Sequence, residues 1–310
     1  MARGKRIVCY AVNGSGLGHV TRLLAVARWL RRYATFVDGR APEILFLTSS
    51  EATGVLAEAG FPSFKIPSKT VVRSSGFDPL EYRRLARHFV WHTLGVFAPD
   101  LLVVDTFPSG SFDELFQLLD GPFRKAFILR QVKPDYAARP IFAAALGMYD
   151  IAVAPHAPPA GSGQGETRIA AAAAGASVAG RLPLVHCGEV LQLDREESRH
   201  RDEVFAELGL APQTRLVYLS AGGGGDHEAE RVLAALIAAL RDLPDLHLLV
   251  GAGPLYRGRR QGGPRLTWST EPGLARSFSA CHAAIAAGGY NTFHELLYLQ
   301  VPAAFFSQEK

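Results

Sequence analysis

Short apolar runs alternate along the whole chain with stretches in which apolar positions recur every three to four residues. In the first half the runs are RIVCYAV, EILFLTSS, SFKIP, DLLVVD, KAFILRQV, DIAVAP and LPLVHCG. In the second half they are LVYLSA, LHLLVGA, RLTWS, AAIAAG and PAAFFS. Each is bounded by turn residues and reads as a buried strand, and the periodic stretches between them read as helices. The longest predicted helix covers DPLEYRRLARHFVWHTLGVF, and helices are also predicted between DLLVVD and KAFILRQV and between RLTWS and AAIAAG. Continuous rather than alternating apolar strands, separated by helices, predict parallel βαβ units whose sheets are covered on both faces.

The alternation is interrupted once. HAPPAGSGQGE and a run of alanines come before the strand LPLVHCG, and the polar segment LQLDREESRHRDE follows it. A chain of 310 residues is long enough for two domains. The predicted division is residues 1–188 and 189–310. The fold class is α/β, with two Rossmann-like doubly wound parallel-sheet domains facing a central crevice. The sequence ends at Lys310 directly after a strand that such a domain would cover with a further helix, so the second domain is expected to be incomplete.

Three glycine turns follow strands. The most informative is AAIAAGGYNTFHELLYL: strand, Gly288-Gly289, then a helix for which Asn291 or Thr292 can serve as cap. This layout aims backbone N–H groups and the positive end of a helix dipole at an anion. Glu295, about one turn into the helix, can accept hydrogen bonds from ribose hydroxyls. The stretch therefore reads as a nucleotide site. After LVYLSA comes Gly222-Gly223-Gly224-Gly225-Asp226. Four glycines are too costly in backbone entropy to serve packing, so they read as a nest of N–H groups before a helix capped near Asp226.

The first strand leads into Asn13-Gly14-Ser15-Gly16-Leu17-Gly18-His19 and a helix. As a dinucleotide fingerprint this fails, because His19 stands at the sixth position and Thr48-Ser49-Ser50 ends the second strand where an acidic residue is wanted. No Gly-Lys-Ser/Thr is present, which excludes a Walker A loop. What remains is a tight turn that carries an imidazole to a helix N-terminus.

Charge changes the picture little. The net charge of +4 comes from scattered arginines, which permits weak attraction to anionic substrates or an anionic membrane surface and does not imply nucleic acid. Cys9, Cys187 and Cys281 are odd in number, distant and set in apolar runs, as expected of reduced core residues in a cytoplasmic protein. No apolar stretch is long enough to span a bilayer. The helix containing Arg83, Arg84, Arg87, Phe89 and Trp91 could meet a lipid surface at the inner membrane face, but packing on the sheet is the favoured expectation.

With these residues in view, the chain resembles GT-B glycosyltransferases, nearest the MurG-like, family 28 group. GSGLGHVTR resembles that group's N-terminal glycine loop, SAGGGG the loop opening its nucleotide domain, and AAGGYNTFHELLYLQVPAAFF its donor-binding stretch. The resemblance implies a nucleotide-sugar donor, UDP-linked, and an acceptor hydroxyl of unknown kind, with no cofactor. It places Gly14, Gly16 and Gly18 in the first loop at the donor. Gly288, Gly289, Tyr290, Asn291 and Thr292 would face the diphosphate, with Gly222, Gly223 and Gly224 opposite and Glu295 on the ribose. PDLLVVDTFPSGSFDEL resembles the acceptor-side strand and loop, putting Asp105 at a strand end.

Sugar transfer must stabilise a departing diphosphate and deprotonate an attacking hydroxyl. No Asp-x-Asp occurs, so no metal clamp is expected, and glycine-turn N–H groups can serve as fixed donors. His19 is a candidate general base, since imidazoles exchange protons near neutral pH. Asp105 is its rival, unless it caps a helix or pairs with a nearby arginine. Trp268 could stack on a base ring or pack in the core. Two other functions remain open: a nucleotide-sugar epimerase on the same scaffold, and a protein that binds nucleotide sugars without turnover.

Overall fold

The computed structural model describes residues 3–12, 16–130, 132, 134–158 and 182–307. Gly14 and most of the Pro/Gly/Ser- and alanine-rich stretch lie outside the described residues. The chain forms two compact units whose main break falls between Val190 and Leu191.

The first unit is built on seven parallel strands: β1 (Arg6–Ala11), β2 (Glu43–Thr48), β3 (Ser63–Lys65), β4 (Leu101–Asp105), β5 (Arg124–Ile128), β6 (Ile151–Ala154) and β7 (Leu184–His186). They lie in the order β3-β2-β1-β4-β5-β6-β7, with Ile7 opposite Ile44 on one side and Leu101 on the other. Ile7 to Ala11 are all buried, as a strand covered on both faces requires.

The connections carry α1 (Gly18–Asp38), α2 (Gly54–Glu58), α3 (Lys69–Ser74), α4 (Pro79–Phe97), α5 (Pro134–Ala137) and α6 (Pro140–Leu146). Helix α4 starts where the sequence places it. Asp78 Oδ1 accepts from the Leu80 amide at 3.0 Å, and Pro79 fills the first helical position.

One expectation holds in this unit, the packing of α4, and one is corrected. Helix α4 packs through Tyr82, Ala86, Val90 and Leu94, whose four-residue spacing forms one face, and it leaves Phe89 39% and Trp91 56% exposed. Between β4 and β5 there is no α-helix, only a 3₁₀ turn over Phe116–Asp120. The cause is the buried carboxylate of Glu114, which accepts from the Tyr10 hydroxyl and from the amides of Ser111 (3.1 Å) and Phe112 (2.6 Å). Those amides are thereby withdrawn from a helical ladder. Gly110 and Asp113 take positive φ values of 88° and 60° to close the loop.

The second unit contains α7 (Arg201–Leu208), β8 (Arg215–Ser220), α8 (Ala229–Leu240), β9 (Leu246–Gly251), β10 (Leu266–Ser269), β11 (Ala283–Ala287), α9 (Tyr290–Tyr298) and β12 (Ala303–Phe306). Its five strands are parallel in the order β10-β9-β8-β11-β12. Alternation along β8 divides the core: Leu219 faces Leu233 and Ile237 of α8, while Leu216 and Tyr218 face Phe278 and Leu296. The helix expected between β10 and β11 is a 3₁₀ segment, Leu274–Ala280.

Cys9 and Cys281 are buried, and burial pushes both thiols up to about 12. Cys187, expected in the core, is exposed because it leaves the edge strand β7. Among the described residues, no helix is long and apolar enough to cross a membrane.

Candidate functional site

In the first sheet the strand order reverses direction at β1, whose neighbours are β2 and β4. Doubly wound sheets bind ligands beyond the carboxyl ends of the strands at such a point. Two polar residues flank it. His19 is the second residue of α1, and Asp105 is the last of β4.

His19 Nδ1 is hydrogen-bonded to Asp105 Oδ2. From the next turn of α1, Arg22 reaches the same carboxylate with two bonds, Nε to Oδ1 at 2.9 Å and Nη2 to Oδ2 at 2.8 Å. Residues three apart share a helix face, so one helix presents both partners to one strand end. The Thr106 hydroxyl adds a contact of 3.2 Å to Oδ2. The side chains of Arg22 and Asp105 are fully buried, whereas that of His19 is 11% exposed.

Burial by itself would raise the Asp105 carboxyl. The adjacent His19 and Arg22 outweigh it and hold the group at about 2. The carboxylate is therefore ionised and can only accept hydrogen bonds, so the proton of this contact sits on Nδ1. Nε2 is left as the ring nitrogen available to a ligand. Phe107 packs against the imidazole with ring centres 5.4 Å apart, and Thr106 before it has φ 66°, a strained value for a β-branched residue.

His19 and Asp105 thus form one hydrogen-bonded unit, where the sequence presented them as rivals. Of the alternatives open for Asp105, pairing with an arginine is the one observed. Arg22 was missed. Its one trace in the sequence is the His-x-x-Arg spacing directly after the glycine turn.

The second sheet reverses at β8, between β9 and β11. The Gly222–Gly225 turn follows β8, and the Gly288-Gly289 turn follows β11. The idea that the first of these does no packing is corrected by its geometry. Gly222 and Gly224 have φ values of 81° and 80°. A Cβ on Gly224 would overlap Ala252 O and come within 2.6 Å of Tyr256 N. The turn needs glycine to lie against the 252–256 loop. Helix α8 begins at Ala229, later than expected, and Asp226 Oδ1 instead accepts from the Glu228 amide at 2.9 Å in a local turn.

The second turn behaves differently. Gly289 is the cap of α9 and Tyr290 its first residue, so Asn291 and Thr292 lie within the first turn and do not cap it. The Phe293 amide closes that turn on Gly289 O at 3.0 Å. A Cβ at Gly288 would meet nothing nearer than 3.6 Å, and one at Gly289 nothing nearer than 4.0 Å. Neither glycine has a positive φ. The fold does not demand glycine at either place.

Glu295, on the same helix, is only 6% exposed. Burial pushes its carboxyl up to about 8, against the pull of a hydrogen bond from the Gln192 backbone amide. Its Oε1 is buried without a hydrogen-bond partner. Trp268 stacks on Tyr256 with ring centres 5.6 Å apart and donates from its indole N–H to Gln261 O at 2.9 Å. With Glu230, Ala234, Arg259 and Gln261 it lines a cleft of about 410 Å³. Tyr256 belongs to the loop against which the Gly222–Gly225 turn packs, so these parts are contiguous.

No protein-family model matches the chain, and no curated protein matches it significantly. Solved structures do. The glycosyltransferase SnogD from Streptomyces nogalater is 15% identical and aligns over 99% of this chain and 82% of its own, with TM-score 0.58. SsfS6, a Streptomyces sp. SF2575 glycosyltransferase complexed with thymidine diphosphate, is 17% identical over 98% of this chain and 82% of its own, with TM-score 0.59. A UDP-N-acetylglucosamine 2-epimerase is 12% identical over 99% and 80%, with TM-score 0.57. At these identities the likeness establishes the fold: the chain has the two parallel-sheet α/β units of GT-B glycosyltransferases.

Proposed function

We propose that the protein is a glycosyltransferase that moves a sugar from a nucleoside-diphosphate donor, UDP-linked, to an acceptor hydroxyl without a metal ion. The observation that carries this reading is the His19–Asp105–Arg22 arrangement at the reversal point of the first sheet. A buried, ionised carboxylate fixes the imidazole by Nδ1 and leaves Nε2 to take a proton. This is how an acceptor hydroxyl would be activated for attack on the anomeric carbon with inversion. Asp105 orients the base and stabilises its protonated form, and Arg22 keeps Asp105 ionised.

The second unit would hold the donor. Gly288 and Gly289 leave open volume at the positive end of α9, where a diphosphate is favoured over any side chain. Tyr290, Asn291 and Thr292 occupy that first turn. The partnerless oxygen of Glu295 would accept a ribose hydroxyl, and Trp268 would border the base. Gly16 and Gly18, at the start of α1, would line the sugar end. The acceptor is a lipid-linked, glycan or small-molecule hydroxyl.

A thermal-shift panel of nucleotides and nucleotide sugars, repeated with EDTA, identifies the donor class and the metal requirement. His19→Ala should then lower kcat about 10²–10⁴-fold with nucleotide affinity unchanged. Lost affinity with normal turnover at saturation would remove His19 from the chemistry. The epimerase among the structural neighbours supports a second reading, in which the nucleotide sugar turns over with no acceptor present. Product analysis without acceptor separates the two.

A further inference from the structure

The segment that follows the break between the units is fastened to α9 at two points. The Gln192 amide donates to the Glu295 carboxyl. Three residues on, Arg195 Nη2 donates to the Tyr298 carbonyl at 2.9 Å, and its guanidinium lies 5.2 Å from the centre of the Tyr298 ring. Positions 295 and 298 share one face of α9, so the segment lies along that face as a strap. Asp194 and Glu197 stiffen it with a reciprocal capping box, in which Glu197 Oε2 accepts from the Asp194 amide at 3.0 Å.

The consequence falls on Glu295. One carboxyl oxygen is held by the strap, and the other, Oε1, is buried with no partner. A carboxyl held at one oxygen has little freedom to rotate, so the direction of its open oxygen is set by the strap. We infer that residues 192–195 are a positioning strap which aims Glu295 at the hydroxyls of a nucleotide ribose, with Arg195 the positioning residue that keeps it in register. This rests on the reading of Glu295 as the ribose acceptor. Arg195 itself is exposed and bonds the C-terminal end of α9, not the Glu295 carboxyl.

The test is calorimetric titration of the whole chain with UDP and with 2′,3′-dideoxy-UDP. Titrated at pH 8.5, where the Glu295 carboxyl is ionised, wild type should favour UDP by about tenfold or more, the value of one charge-assisted hydrogen bond. Glu295→Ala should bring that ratio to one. Arg195→Ala should bring it most of the way to one while leaving dideoxy-UDP affinity unchanged, a pattern that general loosening would not produce. Arg195→Lys, which keeps a cation over the ring and a donor for the carbonyl, should restore discrimination. Tyr298→Leu, which removes the ring and keeps the carbonyl, should give an intermediate ratio.

If Arg195→Ala and Tyr298→Leu both keep the wild-type ratio while Glu295→Ala abolishes it, the strap has no positioning role and the ribose reading stands. If Glu295→Ala discriminates as wild type does, or if neither nucleotide binds wild type, the ribose reading fails and the inference falls with it.

Discussion

Replacing Asp105 by asparagine keeps the shape of the side chain and removes its charge. The side chains of Arg22 and Asp105 are both completely buried, so the variant leaves a guanidinium inside the protein without its counter-charge. Breaking a buried pair in this way costs about 3–5 kcal/mol. The titration of Asp105 gives a smaller figure for a different process. Its carboxyl is held at about 2 against an ordinary 3.8, a shift of nearly two pH units and roughly 2–3 kcal/mol. This value already nets burial against pairing, so it governs the pH dependence, whereas the larger value governs the substitution.

The sign follows from a depressed native pKa. The stabilisation is present above about 3.8 and is lost as pH falls toward 2. The assay is urea unfolding at pH 7. In a Trp268→Phe background, Trp29 and Trp91 are the remaining tryptophans, and both lie in the first unit. Asp105→Asn and Arg22→Met should each lose about 3 kcal/mol or more. The double variant Arg22→Met with Asp105→Leu should lose clearly less than the sum, because no buried charge is then left alone. A loss below about 1 kcal/mol in either single variant would show that the two charges do not depend on each other.

Glu295 should give the opposite pH trend. Its native carboxyl keeps its proton up to about 8 against an ordinary 4.5, so stability should decline as pH rises through that window, by at most about 4–5 kcal/mol. Glu295→Gln should flatten the decline in melting curves taken from pH 5 to 8.5, and an unchanged slope would refute the assignment. Because ribose hydroxyls favour the ionised form, nucleotide affinity should strengthen toward pH 8 in wild type and lose that dependence in the variant. The glycine turns should separate by mechanism. Gly289→Val should leave the melting temperature near wild type and abolish nucleotide binding, whereas Gly224→Val, which would strike Ala252 O and the Tyr256 backbone, should destabilise the fold itself. Equal melting temperatures for the two would contradict the packing seen at Gly224.

All twelve strands among the described residues were legible. The central ones were so because a strand covered on both faces is a continuous apolar run, and the partly exposed edge strands β3, β7, β10 and β12 because their short runs are bounded by turn residues. The glycine turns after β8 and β11 were legible too, and so was His19 at the start of α1, since turn chemistry and helix starts depend on a few consecutive residues. Strand order was not, and the site depends on it. Asp105 meets His19 across 86 residues only because β4 pairs with β1. Arg22 was concealed for a related reason: an arginine in a helix reads as exposed unless a buried carboxylate awaits it, and that carboxylate lies on another strand.

Glu114 shows the same limit in local structure. Its position beside Tyr10 turned a predicted helix into a tight loop, an outcome settled by competition for backbone amides in the folded core. Patterns carried by neighbouring residues survive in the sequence because their energies are local. The ionisation of Asp105, the raised carboxyl of Glu295 and the strap across α9 arise from burial and from partners distant in the chain, and these exist only once the sheets have formed.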